Sequence, residues 1–204
     1  VVHCEELGTL EAKILADGKN PAKIKNLKVS GKICGGDFSF MNYSMVSLQS
    51  INLKEAQIVD WIWSWWGYID GEWKEIYFTT EYPDSWEDAD AQVQAKYPNA
   101  SIYYYGHERN ENYVKGNDPI PANAFRDKST LVNFVFPEKV TKIGYEAFRD
   151  CSLLAGALII PDDVVEIGQQ AFYHCSNLTS LSLPPHLEKI GGSAFSGCSA
   201  LSGN

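Results

Sequence analysis

The residues most able to do chemistry in this chain are a histidine beside a cysteine, His174-Cys175, and a dense tryptophan segment, Trp61-Ile62-Trp63-Ser64-Trp65-Trp66-Gly67-Tyr68. A thiolate next to an imidazole suggests nucleophilic catalysis. Neighbours in an extended or turning segment project in different directions, however, so adjacency in sequence does not make a dyad. His3, His107 and His186 are scattered, and none forms the helical pair that holds a metal. Asp84, Glu87, Asp88 and Asp90 lack the spacing of a calcium loop and read as a solvated helix start, where negative charge is favourable. Gly191-Gly192-Ser193 lacks the glycine placement of a nucleophile elbow, and Gly31 to Gly36 has no Lys-Ser/Thr to make a phosphate loop. The expectation is a protein without catalytic residues, cofactor or metal.

The tryptophans point toward binding. Five of the six, Trp61, Trp63, Trp65, Trp66 and Trp73, lie within 13 positions and are echoed by Tyr103-Tyr104-Tyr105. Three readings stay open. The rings fill a wide, irregular coil or cover its edge; they form a contact patch for a protein partner; or their flat faces stack on sugar rings while Asp60, Asp70 and Glu72 bond hydroxyls. The candidate binding residues are Trp61, Trp63, Trp65, Trp66, Tyr68, Trp73, Tyr103 and Tyr105.

A repeated scaffold must position these groups. Ala124-Phe125, Ala147-Phe148, Ala171-Phe172 and Ala194-Phe195 recur at intervals of 23, 24 and 23 residues. Pro137, Pro161 and Pro184 keep phase with the pair, as do Ile143-Gly144, Ile167-Gly168 and Ile190-Gly191 before it and Cys151, Cys175 and Cys198 after it. A period in this range marks a repeat fold. Within a unit, Leu181 and Leu183 alternate with Ser182 as a half-buried strand, which Pro184 ends. A second extended segment runs from Leu187 to Ile190. Gly191 then suits either a positive φ or a close approach between coils. The expected core consists of Phe125, Phe148, Phe172 and Phe195, with Ile143, Ile167 and Ile190 and a column of Cys151, Cys175 and Cys198 acting as small apolar side chains. No Cys-x-x-Cys spacing favours zinc over packing.

These residues carry a resemblance. Ile-Pro-x-x-Val-x-x-Ile-Gly-x-x-Ala-Phe-x-x-Cys-x-x-Leu, written here from Ile160-Pro161 to Leu178, closely resembles the BspA-like leucine-rich repeats and covers about residues 120–204. Lys128 departs from it in the cysteine column, and Leu154 to Ile160 carries one extra residue. The resemblance implies an exported or surface-anchored bacterial protein whose repeats mediate protein contact or adhesion and carry no catalytic residues.

Upstream, Ile24-x-x-Leu27-x-Val29, Leu48-x-x-Ile51-x-Leu53 and Trp73-x-x-Ile76-x-Phe78 share one strand pattern, and Ile102 to Tyr105 is a further candidate before Leu131-x-x-Phe134-x-Phe136. The expected fold is α+β: a single right-handed leucine-rich-repeat solenoid over 1–204, with one continuous sheet of about seven strands. Residues 1–23 form its cap, 24–119 divergent coils with an aromatic-rich insertion, and 120–204 the regular repeats. A capping helix is expected over Thr9 to Ala16, a helix N-capped by Asp37 over about 38–46, and a third over about 86–96 between Ser85 and Pro98. An end coil at Leu201 without a polar cap suggests a longer chain or end-to-end self-association.

A net charge of −9, with no basic cluster interleaved with aromatics, argues against nucleic acid. No run long and apolar enough to span a membrane occurs, and the segment Val1-Val2-His3-Cys4-Glu5 lacks the features of a secretion signal. The expected partner is a host or bacterial surface protein or, as the alternative, a glycan, met outside the cell or at its surface.

Overall fold

The computed structural model describes residues 1–59, 63–69, 72–78, 91, 94–95 and 118–202. The chain forms two compact units, one of Val1–Val59 with Gly116–Asn204 and one of Asp60–Lys115.

In the first unit the chain enters as strand β1 (Val2–Cys4), helix α1 (Leu10–Ala16) and a 3-10 turn (Pro21–Lys23), followed by strand β2 (Asn26–Ile33), helix α2 (Gly35–Tyr43) and strand β3 (Ser50–Ile58). Strand β6 (Asp118–Ile120) opens the regular repeats. These alternate longer strands β7 (Asn133–Val135), β9 (Ala155–Ile159) and β11 (Asn177–Ser182) with shorter ones, β8 (Val140–Ile143), β10 (Glu166–Ile167) and β12 (Lys189–Ile190). The second unit holds an antiparallel hairpin, β4 (Trp63–Ile69) with β5 (Glu72–Phe78).

Each regular repeat feeds three ladders, which explains why so short a unit satisfies its backbone. The first ladder takes the longer strands, all parallel: β1-β2-β3-β7, then β9-β11. The second is β6-β8-β10-β12, also parallel, with Ile120, Ile143, Ile167 and Ile190 in register. The third is made by the Ala-Phe turns. The amides of Asn123, Phe125 and Asp127 donate to the carbonyls of Tyr145, Ala147 and Arg149 at 2.9, 2.7 and 2.8 Å. Glu146, Phe148 and Asp150 repeat the pattern one coil on, toward Gln169, Ala171 and Tyr173. Left-handed backbone makes this ladder possible: Asn123, Glu146, Gln170 and Ser193 precede the Ala-Phe pair with φ between 51° and 58°, and Asp127, Asp150 and His174 follow it at 58° to 60°. Such residues cost about 1–2 kcal/mol each in L-amino acids, which the cooperative ladder must offset.

The glycines that recur at one phase of the repeat resolve one of the two options open in the sequence. A Cβ on Gly168 would lie 2.6 Å from the Gly144 carbonyl carbon, and one on Gly191 would lie 2.2 Å from the Gln169 nitrogen. Glycine is present there because successive coils touch backbone to backbone.

The core is a stack of rings. Phe125, Phe148 and Phe172 are fully buried. Their centroids are 5.5 and 5.1 Å apart, and Phe195 follows at 5.4 Å with its plane 3° from that of Phe172. The stack begins one coil earlier than the Ala-Phe signature, because Phe38 of α2 meets Phe125 edge-on at 5.6 Å. Ile143 and Ile167 are buried, whereas Ile190 is 47% exposed. Its strand β12 stands last in the second ladder, so no following strand among the described residues covers it. For the same reason Phe195 is only partly buried.

Three sequence expectations change. Trp73 to Phe78 is not a strand of the main ladder: β5 pairs antiparallel with β4, and β3 pairs directly with β7, Ser50 opposite Asn133. The sheet is not continuous either, since β7 pairs with β3 and β9 with β11 but β7 and β9 do not pair with each other. Asp37 does not N-cap its helix. The N-cap is Cys34, and Asp37 stands three residues in, where its carboxylate accepts from the Cys34 amide at 2.9 Å. That buried carboxylate also accepts from the Gly8 and Leu10 amides, both at 3.2 Å, so one side chain closes the starts of α1 and α2 together. Of the helix expected over 86–96, Ala91, Gln94 and Ala95 are helical, and the rest lies outside the described residues, as does the strand candidate at Ile102 to Tyr105.

Candidate functional site

The His174-Cys175 pair divides between the two sides of the backbone. The exposed His174 ring bonds Asp150 through Nδ1 at 3.0 Å. The Cys175 thiol is buried and donates inward to the Phe148 carbonyl at 3.1 Å. Cys151 and Cys198 do the same toward Phe125 and Phe172, at 3.0 and 3.1 Å. Burial pushes the Cys151 thiol up to about 12 and raises Cys175 and Cys198 as well. A thiol held neutral is no nucleophile; these cysteines satisfy carbonyls between coils.

Lys128 takes the cysteine position in the first regular coil, and there the preceding turn is replaced by the end of α2. Its buried ammonium donates to the carbonyls of Met41, Asn42 and Met45 at 2.9, 2.6 and 2.9 Å. A thiol could not span that gap, and a cation suits the carbonyl end of a helix. Burial lowers this ammonium to about 8. On the turn ladder, buried Glu146 receives Arg126 at 2.6 Å and also pairs with Arg149. Burial opposes ionisation there, but the Tyr145 hydroxyl and the two arginines hold the carboxyl below its ordinary value. Among the described residues no group of His, Cys, Asp or Glu could hold a metal ion, and no helix is long and apolar enough to cross a membrane.

Of the predicted binding residues, Trp63, Trp65, Trp66, Tyr68 and Trp73 come together on the β4-β5 hairpin. Tyr68 stands opposite Trp73 and Trp65 opposite Ile76. Tyr68 is 40% exposed. Trp61, Tyr103 and Tyr105 lie outside the described residues.

A second surface was not singled out in the sequence: the outward face of the first ladder. Asn26, Ser50 and Asn133 lie in one register row, and Asn177 pairs with Ala155 further along. Lys28, Asn52 and Val135 form the next row, with Ala157 opposite Ser180. Leu27, Ile51, Leu53, Leu158 and Leu178 alternate inward and are buried. Apart from Lys28, which pairs with Glu55, the side chains of these rows are short and uncharged. The signal was present as the polar residues between the apolar strand positions, but only pairing reveals that they fall into rows.

A ladder of parallel strands repeated every 23 or 24 residues, with one apolar face buried and one short-chained face outward, defines a leucine-rich repeat protein. Residues 112–203 match the family described as BspA type leucine rich repeat region, in six copies. Among solved structures, the chain is similar to a leucine-rich repeat protein of T. pallidum at 25% identity, over 41% of this chain and 50% of that one, with a TM-score of 0.37. A leucine-rich repeat protein of Bacteroides ovatus is 21% identical over 88% of this chain and 36% of its own, TM-score 0.48. A leucine rich cell surface protein of Faecalibacterium prausnitzii is 16% identical over 88% of this chain and 59% of its own, TM-score 0.37. The chain thus spans less than two thirds of each. No curated protein matches it.

Proposed function

We propose that this chain is a non-catalytic, secreted or cell-surface bacterial protein that binds another protein through the outward face of its first ladder, with the coils wound as a right-handed solenoid. The observation that carries this reading is the row construction of that face. Asn26, Ser50 and Asn133, then Asn52 and Val135, present short side chains on paired backbone, with Lys28 of the second row held to Glu55 by an ion pair, so the surface has little side-chain entropy to lose on binding. Such a surface offers no deep pocket, which favours a macromolecule over a small substrate. Similarity to the BspA type repeats supports the same class of role. The exposed Ile190 and Leu183 at the β12 end also suit end-to-end contact between two copies.

A second reading rests on the hairpin. Trp63, Trp65, Trp66 and Trp73 sit on two paired strands, and this concentration of rings favours stacking on a glycan. The test is a binding screen of the purified chain against host matrix proteins and purified glycans, with a Trp65→Ala/Trp66→Ala variant of unchanged circular dichroism. Protein binding that survives the double substitution supports the ladder face. Glycan binding abolished by it moves the site to the hairpin, and no binding in either arm overturns both.

A further inference from the structure

We propose that Asp60–Lys115 is an acidic, aromatic recognition module carried on one coil of the repeat, and that one face of its β4-β5 hairpin binds a basic segment of a partner polypeptide. The residues concerned lie outside the ladder face, so the two readings are tested independently.

The repeat closes without the module. Ser50 on β3 pairs directly with Asn133 on β7, 83 positions later, where regular coils advance by 23 or 24. The 59 or 60 residues in excess fall between the end of β3 at Ile58 and the start of β6 at Asp118, and Asp60–Lys115 is the compact unit found there. In the next coil four residues are enough to join β7 to β8. Packing between coils therefore does not dictate the composition of this segment.

That composition is set apart in two ways. All six Trp and eight of the eleven Tyr lie within 60–115, against one of the nine Phe. The repeats are packed with phenylalanine, while the module carries the aromatics with a polar edge that recur at binding surfaces. It also holds eleven Asp and Glu against four Lys and Arg, so −7 of the chain's −9 resides in this one unit.

Register sorts the hairpin. Residues directly opposite one another share a face of an antiparallel pair. One face takes Trp63 with Phe78 and Trp65 with Ile76, an apolar set of the kind a hairpin needs to be stable within its unit. The other takes Ser64 with Tyr77, Trp66 with Glu75 and Tyr68 with Trp73. Tyr68, on this second face, is 40% exposed.

Charge selects the occupant. A phosphate, a sulfated glycan or a nucleic acid is repelled by a unit with seven carboxylates in excess. A neutral sugar would use the rings and leave the charge idle. A lysine or arginine side chain uses both: its cation lies over an indole face, and Glu75 supplies the counter-charge directly across the hairpin from Trp66. The wider negative field draws a basic segment toward this face before contact, an effect that salt screens.

The experiment is fluorescence anisotropy on the full chain at about 50 and 300 mM salt. Its probes are a labelled Gly/Ser peptide carrying four arginines, the same peptide with none, and cellohexaose as a neutral oligosaccharide. Urea unfolding followed by tryptophan emission first checks each variant, since every Trp lies in the module. The expected result is binding of the arginine peptide that weakens with salt and falls at least tenfold in Trp66→Ala, which leaves the charge unaltered, and in the isosteric Glu75→Gln. It should change less than twofold in Asp162→Asn/Asp163→Asn, an exposed acidic pair on the repeats. If Trp66→Ala unfolds the module, Glu75→Gln carries the test alone. No binding of the arginine peptide, binding that survives both single substitutions, or binding lost as far in the distant pair overturns the proposal. Cellohexaose bound through Trp66 by a chain that ignores the arginine peptide overturns the basic partner and gives the face to the glycan reading.

Discussion

The Lys128 ammonium donates to the carbonyl of Asn42 at 2.6 Å across 86 positions of sequence, joining the first regular coil to the end of helix α2. Its bonds to Met41 and Met45 leave three carbonyls dependent on one side chain. Lys128→Met removes all three partners at a buried site and should destabilise the protein by about 2–4 kcal/mol. Lys128→Cys restores the repeat consensus but should not rescue it, because the thiol is too short. Urea unfolding of the three proteins checks both statements.

The same lysine gives a pH signature. Its folded value of about 8 lies below the ordinary 10.5, so between these values the unfolded chain binds more protons and stability rises with pH. The stability difference between wild type and Lys128→Met should therefore widen as pH increases from 8 to 10.5. Measuring it as a difference removes titrations common to both proteins.

The thiol column acts with the opposite sign. Folded Cys151 is raised to about 12 from the ordinary 9.0, so its stabilisation is complete below pH 9 and is lost as pH rises toward 12. At pH 10.5 the loss should reach about 2 kcal/mol for this residue. Cys151→Ala should flatten the decline, and an aromatic disulfide reagent at pH 8 should find the column thiols unreactive until denaturant is added.

Two glycines in successive coils, at different phases of the repeat, should behave differently. Gly168→Ala forces a Cβ to 2.6 Å from the Gly144 backbone and should cost about 2–4 kcal/mol. Gly192→Ala meets nothing within 4 Å and should change stability by less than about 0.5 kcal/mol. Thermal unfolding of the two variants distinguishes close packing of coils from a general need for flexibility.

The ring stack predicts a gradient. Phe172, fully buried between Phe148 and Phe195, should cost about 3–5 kcal/mol when replaced by Ala. Phe195 is only partly buried, and Phe195→Ala should cost less than half as much in the same urea titration.

The amino-acid sequence by itself determined the repeat. Spacing of Ala-Phe, Ile-Gly and cysteine follows from chemistry within one coil, and each coil needs the same small glycine, the same inward ring and the same short thiol to match its neighbour. Helix α1 was legible for a similar reason, since its signals are local. What only the tertiary structure decided is where that repetition is interrupted. Lys128 reads in sequence as an irregular cysteine, and its role exists only because α2 ends against it. Phe38 joins the ring stack from a segment without the Ala-Phe signature. Trp73 to Phe78 has a strand pattern that fits the main ladder, but pairing depends on which strand is adjacent in space, and β4 is nearer in sequence and pairs with it instead. The interruption of the first ladder between β7 and β9 likewise shows only in the pairing of strands.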